Sequence, residues 1–229
     1  MPVPDLNATL PRRVARMGLA ALVLVGSAWL MAGPTLLWLQ LPAVTADDGL
    51  VATWVHAHSG GLLVGVLQMA SYLHGTAGIL SLSVMVAAVL GAHGRRDLWP
   101  WLVVTVPGGL LLNFAVKLAV QRARPTWDDA VQTLTSFSFP SGHTLGATVL
   151  YGFLVVLCWR SGGNAVRVTS LAAAAVMVLL VAASRIALGV HYFSDCVAAV
   201  IEGCVWLAAC TWGLPSPAST PSGAKPLPA

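Results

Sequence analysis

Polar and apolar positions along this chain fall into long blocks. Met17 to Ala46 carries no charge, and Gly49 to Gly94 carries none apart from histidines. Leu98 to Val116, Thr144 to Trp159 and Val168 to Ser184 are likewise free of charge, and Cys196 to Pro217 holds only Glu202. A membrane-crossing helix needs about 20 mostly apolar residues. The blocks therefore predict an all-α, polytopic membrane protein with six transmembrane helices, near 17–39, 70–92, 98–120, 143–160, 167–187 and 191–212. The stretch 47–68 reads as an amphipathic interfacial helix and a turn, or as the start of a longer second span. Basic residues ahead of an apolar run also mark signal peptides, but this run is long for one and is read as the first span. One domain is expected over 1–214, with a disordered tail, rich in Pro, Ser and Ala, over 215–229.

Composition removes the soluble alternative. The chain of 229 residues is 57% hydrophobic and 9% charged, against about 25% charged in soluble domains. The net charge of +4 would suit nucleic acid, but its distribution does not. Arg12, Arg13, Arg16, Arg95, Arg96, Arg160, Arg167 and Lys225 fall on one side of a six-span plan. The positive-inside rule makes that side cytoplasmic, with both termini inside. Lys117, Arg122, Arg124 and Arg185 lie on the opposite face, against the bias, so that face has a use for cations. Cys158, Cys196, Cys204 and Cys210 lie in predicted spans without metal-ligand spacing and read as buried packing residues. Ten of the twelve basic residues are arginine, as in a GC-rich bacterial source.

Three polar clusters gather on that opposite, outer face. The first is "KLAVQRARP", Lys117 to Pro125. If the helix continues, Lys117 and Arg124 share a face and Pro125 ends the helix. Such a pair of cations also suits lipid headgroups. The second is "PSGH", Pro140 to His143. A helix that starts here offers free N–H groups, and Ser141 either adds a hydroxyl for an anion or caps the helix. Gly142 lets an anion approach the backbone, beside His143. The third is "SRIALGVHYFSD", Ser184 to Asp195. His191 and Asp195 stand four apart, so on a helix they meet. A carboxylate on one imidazole nitrogen fixes the tautomer and frees the other as nucleophile or base; a purely structural pair has the same spacing. Together, the cations, helix N-terminus, two histidines and one carboxylate make an inventory for phosphate-ester chemistry.

The ordered triple K-x6-R-P, P-S-G-H and S-R-x5-H-x3-D resembles the signature motifs of the type 2 phosphatidic acid phosphatase superfamily, complete in residue type, spacing and order from Lys117 to Asp195. The resemblance implies a membrane lipid phosphate phosphatase. His191 would be the nucleophile, oriented by Asp195, and His143 the acid and then the base. Lys117, Arg124, Ser141, Gly142 and Arg185 would hold the phosphate. It implies no metal and no other cofactor. Relatives often read R-P-R-P where this chain has "RARP", so Ala123 replaces a proline. Asp128 and Asp129 read as loop solvation, with substrate discrimination as the alternative. Glu202, seven residues past Asp195 inside a span, is either functional or a protonated packing residue.

The expected setting is a bacterial inner membrane, with the active site facing the periplasm and a lipid chain passing between helices. Partners are the bilayer and a lipid phosphate; neither nucleic acid nor a protein partner is implied. Undecaprenyl diphosphate ranks first as substrate and phosphatidylglycerophosphate second, with phosphatidic acid and lipid A phosphate also compatible. A phosphotransferase with the same intermediate, and a non-catalytic lipid-binding or transport protein, are the alternatives.

Overall fold

The structure is a computed structural model that describes residues 37–58, 60–126 and 136–212, with 26 and 35 besides. The described residues form helices and no strands. In chain order they are α1 (Pro42–His58), α2 (Gly61–Leu73), α3 (Thr76–Ala92), a 3-10 turn at Arg96–Leu98, α4 (Trp99–Val120), α5 (Gly142–Ser161), α6 (Asn164–Ala187) and α7 (Phe193–Trp212). The 3-10 turn and α4 together, α5, α6 and α7 are each long and apolar enough to cross a membrane. The pair α2 and α3 adds a fifth crossing if it counts as one bent span. This is a multi-pass membrane protein. The predicted first span, the N-terminal arginines, Asp128, Asp129 and the C-terminal tail lie wholly or almost wholly outside the described residues.

Helix α5 is the central post. It packs against α3, α4, α6 and α7, and Leu145, Val149 and Phe153 on it are fully buried with Ile79 and Val106. Trp206 of α7 closes on α4, where its indole N–H donates to the Thr105 carbonyl at 2.9 Å. Helix α6 instead leaves Val168, Leu171, Val176 and Leu179 exposed. So large an apolar surface is untenable in water and natural against lipid.

One expectation about the spans needs correction. The run 70–92 is not one continuous helix: α2 and α3 meet at 61° across the break at His74 and Gly75. Side chains hold the elbow. His74 donates through Nδ1 to the Ala70 carbonyl at 2.7 Å, so its Nε2 accepts the Tyr151 hydroxyl of α5, also at 2.7 Å. Gly78 is needed there, because a Cβ on it would overlap the Leu73 carbonyl. The stretch 47–68 holds the end of α1 and a turn, and from Gly61 it starts the bent α2–α3 pair, in line with the longer second span given as its alternative. Helix α1 packs against α6 and α7 and buries Asp48 while Asp47 stays exposed. The four cysteines are free thiols, but only Cys196 is buried, and Cys204 is exposed on the apolar surface.

Candidate active site

The first cluster is built differently from its sequence pattern. Helix α4 stops at Val120, and Gln121 takes a left-handed conformation with φ 52°. The helix thus ends five residues before Pro125, and Lys117 and Arg124 share no helical face. Lys117 points from the last turn into the loop before α5. Its ammonium donates to the carbonyls of Phe137, Ser138 and Pro140 at 3.0, 3.0 and 2.5 Å. Arg124 reaches the same loop, donating to the Ser136 carbonyl at 2.7 Å and that of Phe137 at 3.0 Å. It also donates to the Val190 carbonyl at 2.6 Å. The two cations thus tie the first cluster to the other two.

Helix α5 begins at Gly142, with Ser141 as the preceding residue. The Ser141 side chain makes no cap bond; its hydroxyl oxygen accepts from Thr144 at 3.0 Å. Its backbone N–H donates to the Asp195 carbonyl at 3.1 Å, which fixes the start of α5 against the first turn of α7. The next N–H groups lack a partner within the helix, as in any helical first turn. Gly142 is tightly placed: a Cβ there would lie 3.3 Å from Asn113 Oδ1 and 4.0 Å from Lys117 Cε. His143 is half-buried and lines a cavity of about 810 Å³ at the α2–α3 elbow, with Tyr72, Leu73, Leu82, Met85 and Leu188. Arg185 is fully buried near the end of α6 and donates to the Ser71 hydroxyl of α2.

His191 precedes α7 instead of lying on it, yet it still meets Asp195, with Nδ1 and Oδ2 3.3 Å apart. That oxygen also accepts the Tyr192 N–H at 2.9 Å and the Ser138 hydroxyl. Ser138 Oγ lies 3.4 Å from the same imidazole nitrogen. A proton on Nδ1 satisfies both acceptors, which leaves the lone pair on Nε2. Arg124 Nη1 stands 3.1 Å from that Nε2. Burial drives the His191 pKa down to about 3, against the pull of Asp195 and with help from Arg124 and Lys117. The imidazole is therefore neutral near pH 7. Burial lowers the Arg124 pKa as well, yet a guanidinium stays charged.

The remaining cation of the outer face, Arg122, serves two carboxylates. It donates to Asp195 Oδ1 at 2.6 Å, to Ser194 Oγ at 2.8 Å and to Asp48 Oδ2 at 2.7 Å. Burial opposes its charge, but Asp195 and Asp48 outweigh that and raise its pKa. Tyr192 stacks under it, with the guanidinium carbon 4.2 Å from the ring centre. Glu202 lies deeper in α7 and accepts from Asn113 Nδ2 at 3.1 Å.

The fold thus joins Lys117, Arg124, Ser141, His191 and Asp195 in one hydrogen-bonded network with Gly142 beside Lys117, while His143 lines the cavity at the elbow and Arg185 bonds Ser71 of α2. Sequence reasoning passed over Ser138, Asp48, Asn113 and His74. Only Ser138, two residues before "PSGH", and Asp48, in an acidic pair that interrupts an apolar stretch, left a signal.

Comparison with known proteins identifies relatives of this chain. A family model described as the PAP2 superfamily matches residues 98–216. The chain is 30% identical over 134 residues to phosphatidylglycerophosphatase B of Bacillus subtilis (strain 168), covering 57% of this chain and 64% of that protein. It thus spans just under two thirds of that relative's length. It is also 30% identical over 144 residues to decaprenylphosphoryl-5-phosphoribose phosphatase of Mycolicibacterium smegmatis, covering 60% of this chain and 71% of that one. A crystal structure of a transmembrane PAP2-type phosphatidylglycerolphosphate phosphatase from Bacillus subtilis superposes with a TM-score of 0.66. That match covers 82% of this chain and 94% of the other, at 27% identity.

Proposed function

The chain belongs to the PAP2 superfamily, and from that premise we propose that it hydrolyses a lipid phosphate at the membrane surface through a phosphohistidine on His191. The observation that carries this reading is the setting of His191, with Nδ1 directed at Asp195 and Ser138 and with Nε2 against a guanidinium. A purely structural pair has no need of a second nitrogen held against a guanidinium.

In this mechanism the phosphate oxygens settle among Lys117, Arg124, Arg185, the Ser141 hydroxyl and the first N–H groups of α5, Gly142 included. They draw Arg124 off Nε2, so substrate binding releases the lone pair it needs. Nε2 attacks phosphorus while the bond to the lipid oxygen breaks, and that oxygen takes a proton from His143. Asp195 stabilises the imidazolium that forms, without taking its proton. Water then attacks the phosphohistidine, gives its proton to His143, and the P–N electrons return to Nε2. Asp195 is fully engaged by Arg122, Ser138, Tyr192 and His191, so the reaction is assigned to cations and imidazoles without a metal.

The cavity beside His143 is largely apolar and suits the first part of a lipid chain. Loop charges favour both termini in the cytoplasm, a sixth span at 17–39 and a periplasmic site in a bacterial inner membrane. The relatives' names move phosphatidylglycerophosphate and a polyprenyl-linked phosphomonoester ahead of undecaprenyl diphosphate. The test is phosphate release by the purified protein in detergent from those three lipids, phosphatidic acid and lipid A phosphate. Release from one or two of them is expected. Release from none would move the reading to a phosphotransferase or a lipid-binding protein.

A further inference from the structure

Asp48 lies far from the three clusters in sequence and on a helix outside them, yet only 2% of its surface is exposed. Three donors converge on it. Ser194 gives its backbone N–H at 2.8 Å and its hydroxyl at 2.6 Å, and Arg122 gives Nη2 at 2.7 Å. A buried carboxylate has to be paired, and this one is paired with the cation that also grips Asp195. The sequence of contacts is Asp48, Arg122, Asp195, His191: alternating charges that end on the reactive imidazole.

The geometry of a guanidinium gives this chain a purpose. Its planar fork prefers to take both oxygens of one carboxylate. If Arg122 did so with Asp195, Oδ2 would turn toward arginine and away from His191. Asp48 occupies the second arm of the fork. Arg122 therefore holds Asp195 by Oδ1 alone, and Oδ2 stays with His191, Ser138 and the Tyr192 N–H. The same carboxylate pins the first turn of α7 through Ser194, so the backbone that carries Asp195 is fixed too.

We propose that Asp48 is a positioning residue for the phosphate site: by binding one arm of Arg122 and the Ser194 end of α7, it keeps Asp195 Oδ2 on His191 Nδ1. Helix α1, packed against α6 and α7, is then part of the catalytic apparatus. The inference rests on the reading of His191 as the nucleophile.

The test is a double-mutant cycle on the full-length protein in detergent, with kcat, KM and Tm measured for Asp48→Asn, Arg122→Gln and the pair. Asn at 48 retains an acceptor for the Ser194 N–H and removes the charge that holds Arg122, so it is the mild variant; Asp48→Ala removes both. Expected for Asp48→Asn is a loss of about 10- to 100-fold in kcat, the worth of one charge-assisted hydrogen bond, with KM within about threefold. The pair should be no worse than Arg122→Gln alone, because Asp48 acts through that arginine. A fall in Tm with kcat unchanged, or losses that multiply in the pair, would overturn the proposal. His191→Ala separates the two readings. If that variant still turns over, the proposed function itself fails. If it is inactive while Asp48→Asn has normal kcat, only the role of Asp48 fails.

Discussion

Asp195→Asn should be the most damaging isosteric change in this protein, and the contacts say why. The carboxylate accepts from four groups: Arg122 at 2.6 Å on Oδ1, and the Ser138 hydroxyl, the Tyr192 N–H at 2.9 Å and His191 Nδ1 at 3.3 Å on Oδ2. An amide has one oxygen. Its NH2 must face either the guanidinium or three donors, so one side sets donor against donor. Removing one partner from a buried charge pair costs about 3–5 kcal/mol, a large share of the roughly 5–15 kcal/mol that holds a domain together. The kinetic effect has a separate cause. An NH2 facing His191 favours the tautomer with the proton on Nε2, which hides the lone pair. A wrong tautomer costs about 10⁴ in a serine-protease triad, and the expected loss here is about 10³ to 10⁴ in kcat, or roughly 4–5.5 kcal/mol. The assay is lipid-phosphate turnover well below the variant's Tm, with Tm measured alongside. A folded Asp195→Asn protein that keeps a tenth of wild-type kcat would refute this account of the tautomer.

Glu202→Gln should leave kcat within about tenfold, a change of about 1.4 kcal/mol, and Tm unchanged or higher. Glutamine keeps the acceptor for Asn113 and removes a carboxylate whose second oxygen is buried without a hydrogen bond; a larger loss in a folded variant would place Glu202 in the mechanism. The pH dependence of stability follows from His191, whose folded pKa of about 3 lies below the ordinary value near 6.5. Between those values the unfolded chain binds the extra proton, so stability should fall as pH drops from about 6.5 toward 3. Tm measured at pH 7.5 and 5.0 should show the drop, and His191→Gln should flatten it; an equal slope in both would assign the effect elsewhere. EDTA should leave turnover unchanged, and activity lost to chelation and restored by a divalent cation would refute the metal-free assignment.

The apolar blocks made four helices legible almost to the residue: 98–120, 143–160, 167–187 and 191–212 became α4 to α7. Length and hydropathy define such spans. They do not define a bend, because an apolar run scores alike straight or broken. The elbow at His74 is set by a Tyr151 hydroxyl 77 residues along the chain, which no local pattern carries. The helical pairing of Lys117 with Arg124 failed for a local reason, the left-handed Gln121, yet both side chains reached the same loop. Contact between His191 and Asp195 was legible because the four-residue spacing survives at a helix start. Arg122 was visible as a cation but not as the partner of Asp48, since that bond joins α1 to residues more than 70 positions away.

The central claim is that His191 is the nucleophile, and one variant addresses it directly. His191→Ala, purified in the same detergent, should retain the wild-type helical circular dichroism and a cooperative thermal transition. On the lipid that wild-type protein hydrolyses, its phosphate release should fall by at least about 10³, beyond what one lost hydrogen bond explains. Phosphate release at more than a hundredth of the wild-type rate by this folded variant would contradict the claim.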